Sequence, residues 1–224
     1  MASPLSEITA TSRPSRDPCP WRRQNFELTR ISVIAVNGSG ALSQAGIEFG
    51  NRLDLVTTDA WGLTTPCDAW TVRDLVNHVV GGNVRYVMML RGDEPEDVLA
   101  TRDVDALGSD PVGAYRSSFQ RVTEAFGSPG ILTATVHHPK SGPMTGAQLR
   151  VLRVNELTVH GWDLAHAIGA NEDLDDGLVE WLFDRLYPLR DTIARSGLFA
   201  SRQPSREEAE PVQARLLHLL GRRP

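Results

Sequence analysis

Apolar residues recur at three- and four-residue steps over most of the chain from residue 41 onward. This spacing places a continuous apolar stripe on one side of an α-helix, where it can be buried against other helices. The pattern predicts four principal helices, a longer crossover segment and an appended helix. The four principal helices cover about 41–56, 71–92, 112–126 and 145–168; a fifth covers about 176–195 and a short last helix 209–220.

Local signals agree with two of these helix starts and one helix end. Thr145 is followed three residues later by Gln148, which is a capping-box pattern, and Thr71 with Asp74 is a variant of it. Gly169 follows the last apolar residue of the fourth helix and predicts its end.

Two segments interrupt the helical pattern. Residues 132–136 are short and rich in β-branched side chains, with prolines and a glycine behind them, which favours a strand or a lid-like loop. Residues 93–111 are acidic and turn-rich, which predicts a surface connection. The expected fold is therefore all-α: a four-helix bundle with an additional C-terminal helix and a short strand or loop insertion.

Residues 1–30 differ from the rest in composition. They are rich in proline, serine and threonine and poor in apolar residues, so they cannot bury enough surface to offset the entropy of ordering. A short apolar run over 31–36 and a turn-like stretch over 37–40 follow them. We expect a flexible N-terminal extension over 1–40 and a single helical domain over 41–224; a start codon placed too early is an alternative explanation of the extension. Nothing in the extension has the apolar stretch of an export signal.

Composition narrows the classes of partner. Hydrophobic residues make up 41% of the chain and charged residues 23%, which suits a packed globular domain. The 23 Lys and Arg residues against 28 Asp and Glu residues give a net charge of −5, which argues against nucleic acid as a partner. No apolar run approaches the roughly 18–20 residues that span a bilayer. We expect a cytoplasmic protein, monomeric or homodimeric, that acts on small molecules.

The most informative segment lies in the fourth helix, at residues 155–163. Glu156 and His160 are one turn apart on the same helix face, where they interrupt an apolar stripe that includes Leu149 and Leu152. A carboxylate in a bundle core costs several kcal/mol unless it is paired or binds a cation. A surface ion pair is the ordinary alternative for Glu and His at this spacing.

His78 supplies a second candidate from the second helix, where its neighbours in the sequence are apolar. Two histidines and a glutamate from facing helices form a three-ligand site for a divalent ion, with Zn²⁺ preferred and Ni²⁺ or Fe²⁺ as alternatives. Three protein ligands leave a position for water or substrate, which is typical of a reactive site. A hydrogen-bonded core histidine is the alternative for His78.

Further polar residues are weaker candidates. Asp163 follows His160 by one turn and is the candidate catalytic residue, as an acceptor or base that orients a ligand. A surface acid that faces Arg153 or solvent is its alternative. Cys67 precedes a helix N-terminus that could lower its pKa, but a structural role is favoured. The other four histidines are expected to be solvated or structural: His137, His138, His166 and His218. His137 and His138 could approach a substrate, but adjacent side chains in an extended chain point in opposite directions.

Three stretches together carry a family resemblance. They read TPCxxWxVRxLVxHVVGG over 65–82, NExxxHGWDLA over 155–165 and RLLHLLGRRP over 215–224. The chain resembles actinobacterial metal-binding proteins of the DinB-like superfamily, and more closely the group related to the N-terminal domain of mycothiol-dependent maleylpyruvate isomerase. The resemblance covers about 41–224.

The resemblance implies a DinB-like four-helix bundle that holds a divalent ion through His78, Glu156 and His160. It also implies mycothiol, a low-molecular-weight thiol, as a cosubstrate. The isomerase has a separate C-terminal domain that contributes to catalysis, whereas residues 170–224 here are too few and read as helices of the bundle. Transfer of a thiol to a small electrophile is therefore a better expectation than maleylpyruvate isomerisation.

Two other functions are compatible with the same three ligands. A metal-bound water could replace the thiol as the nucleophile, which would make the protein a hydrolase. A metal-binding or sensor protein without catalysis is the third hypothesis.

Overall fold

The structure is a computed structural model that describes residues 38–67, 70–195 and 210–224. The described residues form eight α-helices and one two-stranded sheet. The helices are α1 (Gly38–Leu53), α2 (Val72–Arg91), α3 (Pro95–Ala100), α4 (Pro111–Phe126), α5 (Gly146–Ile168), α6 (Asp176–Leu186), α7 (Arg190–Arg195) and α8 (Val212–Leu219), and the strands are β1 (Thr135–His138) and β2 (Gly142–Thr145).

The four longest helices form the bundle. Helix α5 packs against α1 and α2, and α4 closes the ring by packing against the same two helices. Helix α6 packs against α1 and α5, and α8 packs against α6. The expected all-α architecture with an additional C-terminal helix is confirmed.

Both predicted capping boxes are present and fix where the two site-bearing helices begin. The amide of Asp74 donates to the Thr71 hydroxyl at 3.2 Å, and the amide of Thr71 donates to the Asp74 carboxylate at 3.0 Å. Thr145 and Gln148 make the same reciprocal pair at 3.2 and 2.7 Å. These bonds satisfy amides that a helix start otherwise leaves without partners.

The predicted strand belongs to a β-hairpin that lies across α2 and α5. Val136 of β1 pairs with Met144 of β2 in antiparallel register, and both side chains are buried. The hairpin begins three residues later than the β-branched run suggested, because residues 131–134 form turns. It places His138 at its turn.

Two predictions of element boundaries are wrong in detail. The connection over 93–111 contains a short helix, α3, which begins at Pro95, a residue suited to the first turn of a helix. The helix predicted over 176–195 is broken into α6 and α7 by a 3-10 turn at Tyr187–Leu189. Pro188 lies in that turn and has no amide hydrogen to donate, so the α-helical ladder cannot continue through it.

The ends of the chain are only partly described. The predicted extension over 1–40 lies outside the described residues except for Gly38–Gly40, which form the first turn of α1. The division into an extension and a domain over 41–224 stays a prediction. Within the described segments, no helix combines the length and the apolar character needed to cross a membrane.

Candidate functional site

Helix α5 carries an unusual density of buried polar side chains in the middle of the bundle. His160 and Asp163 are completely buried, at 0% exposure, and Arg153 is buried to the same extent. Because α5 packs against both α1 and α2, its polar side chains have little access to water and must find partners in the protein.

The two histidines predicted from separate helices meet in the structure. The rings of His78 and His160 have centroids 5.1 Å apart and lie edge to face. Two imidazoles that share one tetrahedral zinc ion at the usual bond length have ring centroids about 5 Å apart. The histidine pair therefore fits a divalent ion between α2 and α5.

An aromatic side chain completes this arrangement. Trp70 lies in the loop before α2 and is buried, with its ring centroid 4.7 Å from that of His78 and 6.0 Å from that of His160. Backbone hydrogen bonds hold this loop, including one from the Thr65 amide to the Trp70 carbonyl. Trp70 packs against the histidine pair on one side and shields it from water.

Glu156, the third predicted ligand, is held by an arginine of its own helix. Arg153 Nη1 donates to Glu156 Oε2 at 2.8 Å, and Arg153 Nη2 donates to the Val79 carbonyl at 2.8 Å. Burial, and the charge of the nearby Glu156 carboxylate, raise the pKa of Tyr86 well above its usual value. The Glu156 side chain keeps 20% exposure.

Asp163 does not take the surface position suggested as its alternative role. Asp163 faces neither Arg153 nor solvent; it is buried and bound by Arg222, from the C-terminal end of the chain. Arg222 donates to Asp163 Oδ1 through Nε at 3.0 Å and to Oδ2 through Nη2 at 2.7 Å. His160 Nδ1 lies 3.0 Å from the same Oδ2.

Cys67 joins this cluster from the loop before α2. Its thiol donates to Asp163 Oδ2 at 3.3 Å and accepts from Arg222 Nη2 at 3.3 Å. The Cys67 Sγ atom lies 3.8 Å from His160 Nδ1. We call these four residues, Cys67, His160, Asp163 and Arg222, the arginine cluster.

The pKa shifts in the arginine cluster follow from these contacts. Burial raises the pKa of Asp163, but the charge and hydrogen bonds of Arg222 and the hydrogen bond of His160 lower it far below its usual range. Burial lowers the pKa of His160, but the hydrogen bonds to Asp163 and Cys67 raise it to about 9. The Asp163 carboxylate thus accepts a hydrogen bond from the protonated Nδ1 of His160. A metal ion would therefore bind to the other ring nitrogen, Nε2.

Among the described residues, a second trio has the spacing of metal ligands. One ligand atom each from Cys67, His160 and Asp163 lies within 4.8 Å of the others, whereas His78, Glu156 and His160 do not form such a group. However, Arg222 already donates to both oxygens of Asp163 and to the sulfur of Cys67. A metal ion at this trio would have to displace a buried guanidinium, so the cation of this cluster is Arg222.

The sequence model of one protein family, the mycothiol maleylpyruvate isomerase N-terminal domain, matches residues 42–165 of the chain. The chain belongs to this family. The match takes in α1 to α5 almost completely, including the hairpin and the helices that carry His78, Glu156, His160 and Asp163. It confirms the resemblance found in the sequence motifs.

Two similar family relatives are uncharacterized proteins from two strains of Mycobacterium tuberculosis. Each is 32% identical to the chain over 179 residues, which is 78% of this chain and 91% of the relative. Among solved structures, the mycothiol-dependent maleylpyruvate isomerase and its histidine-to-alanine mutant match with a TM-score of 0.54. Their identities to the chain are 16% and 15%, each match covers 68% of both chains, and the likeness establishes a shared fold.

For this member of the family, sequence reasoning missed four residues around the site. Arg153 binds Glu156, Tyr86 is close enough for the Glu156 charge to raise its pKa, Trp70 lies against the histidines, and Arg222 binds Asp163. The pairing of Arg153 with Glu156 had a signal, since residues three apart on a helix are neighbours. The pairing of Arg222 with Asp163 had none in the helical periodicity.

The other four histidines lie apart from the histidine pair or serve local structure. His166 pairs with Glu172 on the surface, and His218 pairs with Glu210. His138 Nδ1 accepts from the amides of Lys140 and Ser141 at the hairpin turn, and burial lowers the pKa of His138 to about 4. His137 is exposed on the neighbouring strand position.

Proposed function

We propose that the protein is a divalent-metal enzyme that transfers a small thiol to an electrophilic carbon. His78, Glu156 and His160 would hold the ion, with zinc as the first candidate and nickel or iron as alternatives. The observation that carries this proposal is the meeting of the His78 and His160 rings, 5.1 Å apart and edge to face, between two helices.

The thiol is the finer part of the proposal. Membership of the mycothiol maleylpyruvate isomerase N-terminal domain family supports a thiol-related function, with mycothiol as the first candidate cosubstrate. A bound divalent ion lowers the pKa of a coordinating thiol and so favours the thiolate, which is the nucleophile. The thiol loses its proton and a carbon–sulfur bond forms at the electrophilic carbon. With a maleyl substrate the C=C π bond is lost and the proton goes to the neighbouring carbon; with an epoxide a C–O bond opens and its oxygen takes the proton; with an alkyl halide the C–halogen bond breaks and halide leaves with the proton in solution. Nothing is oxidised.

The chain's own residues prepare the two histidines for this role. Asp163 accepts from Nδ1 of His160, so the ring keeps one orientation and presents Nε2. Both oxygens of Asp163 are engaged by Arg222 and its side chain is inaccessible to solvent, which favours an orienting role over proton transfer to a substrate. Trp70 shields the pair from water on one face.

Glu156 has a different part in the proposal. Its carboxylate would contribute negative charge to the ion, while Arg153 holds it within the bundle. Because Glu156 is partly exposed, its end of the site is also the side from which a small substrate would approach.

The metal site is tested by elemental analysis of the purified protein. We expect close to one transition-metal ion per chain, and none in His78→Ala or His160→Ala. His166→Ala is the matched control because His166 is exposed on the same helix and pairs with Glu172. Full metal content in both site variants would refute the assignment.

The reaction is tested with the metal-loaded protein, mycothiol and a panel of maleyl, epoxide and alkyl-halide substrates. We expect loss of free thiol with at least one of them, and no loss with His160→Ala. Turnover of an ester or amide without thiol would indicate a hydrolase instead. Metal binding without any reaction would leave the sensor hypothesis.

A further inference from the structure

The C-terminal end of the chain reaches the buried side of the proposed metal centre. Leu216, Leu217 and Leu220 are buried and fix α8 in the core. Gly221 then turns the chain with φ of +75°, a conformation that suits glycine. The Arg222 amide donates to the Leu217 carbonyl at 2.8 Å, so the arginine leaves the helix in a defined direction.

The contact of Arg222 with Asp163 is two-pronged. Nε and Nη2 donate to the two different oxygens of Asp163, at 3.0 and 2.7 Å, and this parallel geometry is specific to the planar guanidinium. Nη1 donates to the Leu220 carbonyl at 3.1 Å, which holds the guanidinium plane itself. The carboxylate of Asp163 therefore has one orientation.

That orientation decides how His160 lies. Asp163 Oδ2 accepts from Arg222 and lies 3.0 Å from His160 Nδ1, so the carboxylate links the arginine to the imidazole. Cys67 fills the remaining space between them. Cys67, Asp163 and Arg222 are all buried, whereas Glu156 keeps 20% exposure.

We propose that Arg222 is a positioning residue of the metal centre: it holds Asp163 so that Asp163 fixes the ring of His160 toward His78. This inference rests on the proposed metal-binding role of His160. If it holds, the segment after α8 belongs to the site, although this segment lies outside residues 42–165, which match the family.

The test compares Arg222→Gln with Arg223→Gln, since Arg223 is the adjacent arginine and is exposed. The first readout is the slowly exchanging Nδ1–H proton signal of His160 in the zinc-free protein by NMR, assigned by its absence in His160→Gln. The second is zinc affinity by competition with a chelator. Leu217→Ala is a further control that weakens α8 packing without touching Asp163.

We expect Arg222→Gln to lose the Nδ1–H signal and to bind zinc about 10–100-fold more weakly, the usual effect of losing an outer partner of a metal ligand. Arg223→Gln and Leu217→Ala should keep the signal and the affinity. The proposal is overturned if Arg222→Gln keeps both, or if Leu217→Ala loses as much as Arg222→Gln.

The two readouts distinguish failure of the proposed metal site from failure of the role proposed for Arg222. If the unchanged chain binds no zinc, the proposed function fails, while the Nδ1–H signal still decides the role of Arg222. If Arg222→Gln does not fold, Arg222→Lys takes its place, since it keeps the charge but cannot make the two-pronged contact. Retention of the signal and the affinity by Arg222→Lys would then count against the proposal.

Discussion

Helix α5 carries two acids, Glu156 and Asp163, two turns apart; each pairs with an arginine, and they differ in how completely the acid is enclosed. Asp163 is fully buried, and both of its oxygens are bound by Arg222. Glu156 has 20% exposure, and the Arg153 contact engages one oxygen, Oε2. The first pair is a fixed part of the core, whereas the second leaves its carboxylate accessible from outside.

This difference separates two tasks that one helix has to perform. A ligand or substrate needs a carboxylate that can exchange partners, and Glu156, with 20% exposure and one oxygen bound by Arg153, can do so more easily than an enclosed acid. A ring that must keep one orientation needs a partner that does not move, and a buried two-pronged pair is costly to break. Glu156 suits the first task and Asp163 the second.

The largest effect is expected from breaking the enclosed pair. Asp163→Asn leaves the buried guanidinium of Arg222 without its countercharge, so we expect a loss of about 3–5 kcal/mol in the free energy of unfolding. Denaturant unfolding followed by circular dichroism measures it. The double variant Asp163→Leu with Arg222→Leu should lose less than the sum of its two single variants, and strict additivity would contradict the pairing.

The helices of this enclosed region could be predicted, but its central contact could not. The 3.6-residue period and the capping boxes at Thr71 and Thr145 placed α2 and α5, and with them the meeting of His78 with His160. Asp163 and Arg222 are far apart in the chain, and a helical period says nothing about which residue of a later element reaches a given face. The motif over 215–224 marked Arg222 without indicating its partner.

The next effect concerns the hairpin on the Glu156 side. The folded chain holds His138 with a pKa lowered from 6.5 to about 4, because burial disfavours the charged ring. Between these values the unfolded chain binds more protons, so stability rises with pH through this window and is lost as pH falls from 6.5 to 4. At pH 4 this titration lowers the free energy of unfolding by at most about 3 kcal/mol.

His138→Asn keeps an acceptor for the Lys140 and Ser141 amides and removes the titrating group. We expect this variant to lose less stability than the unchanged chain when unfolding is measured at pH 6.5 and again at pH 4. His137→Asn, at the exposed neighbouring position, should behave like the unchanged chain. Equal pH dependence in the two variants would contradict the buried neutral state of His138.

A third change tests the support of Glu156. A Cβ atom at Gly82 would come within 2.6 Å of Arg153 Nη1, the atom that donates to Glu156. Since Arg153 is fully buried and cannot swing into solvent, we expect Gly82→Ala to cost about 1–3 kcal/mol through overpacking. Thermal unfolding checks this value.

Gly81→Ala is the matched control for Gly82→Ala. Its Cβ atom would come within 2.9 Å of Arg85 Nη1, the end of a half-buried and flexible side chain, so Arg85 can move aside. Replacing glycine by alanine within a helix then favours stability by about 0.5–1 kcal/mol. An equal loss in both variants would show that Arg153 is no more constrained than Arg85.

The smallest expected effect on stability is also the sharpest test of the comparison. Glu156→Gln keeps an oxygen that can accept from Arg153, water reaches this side chain, and the buried Arg153 keeps its bond to the Val79 carbonyl. We therefore expect a loss of about 1 kcal/mol in unfolding free energy, the range of one hydrogen bond. Zinc affinity should fall by at least the 10–100-fold that loss of an outer partner causes, because the ion loses a charged ligand. Chelator competition and denaturant unfolding on the same sample measure both quantities. A loss of stability as large as that of Asp163→Asn, with zinc affinity unchanged, would mean that Glu156 is a structural acid like Asp163 and that the metal centre lacks its third ligand.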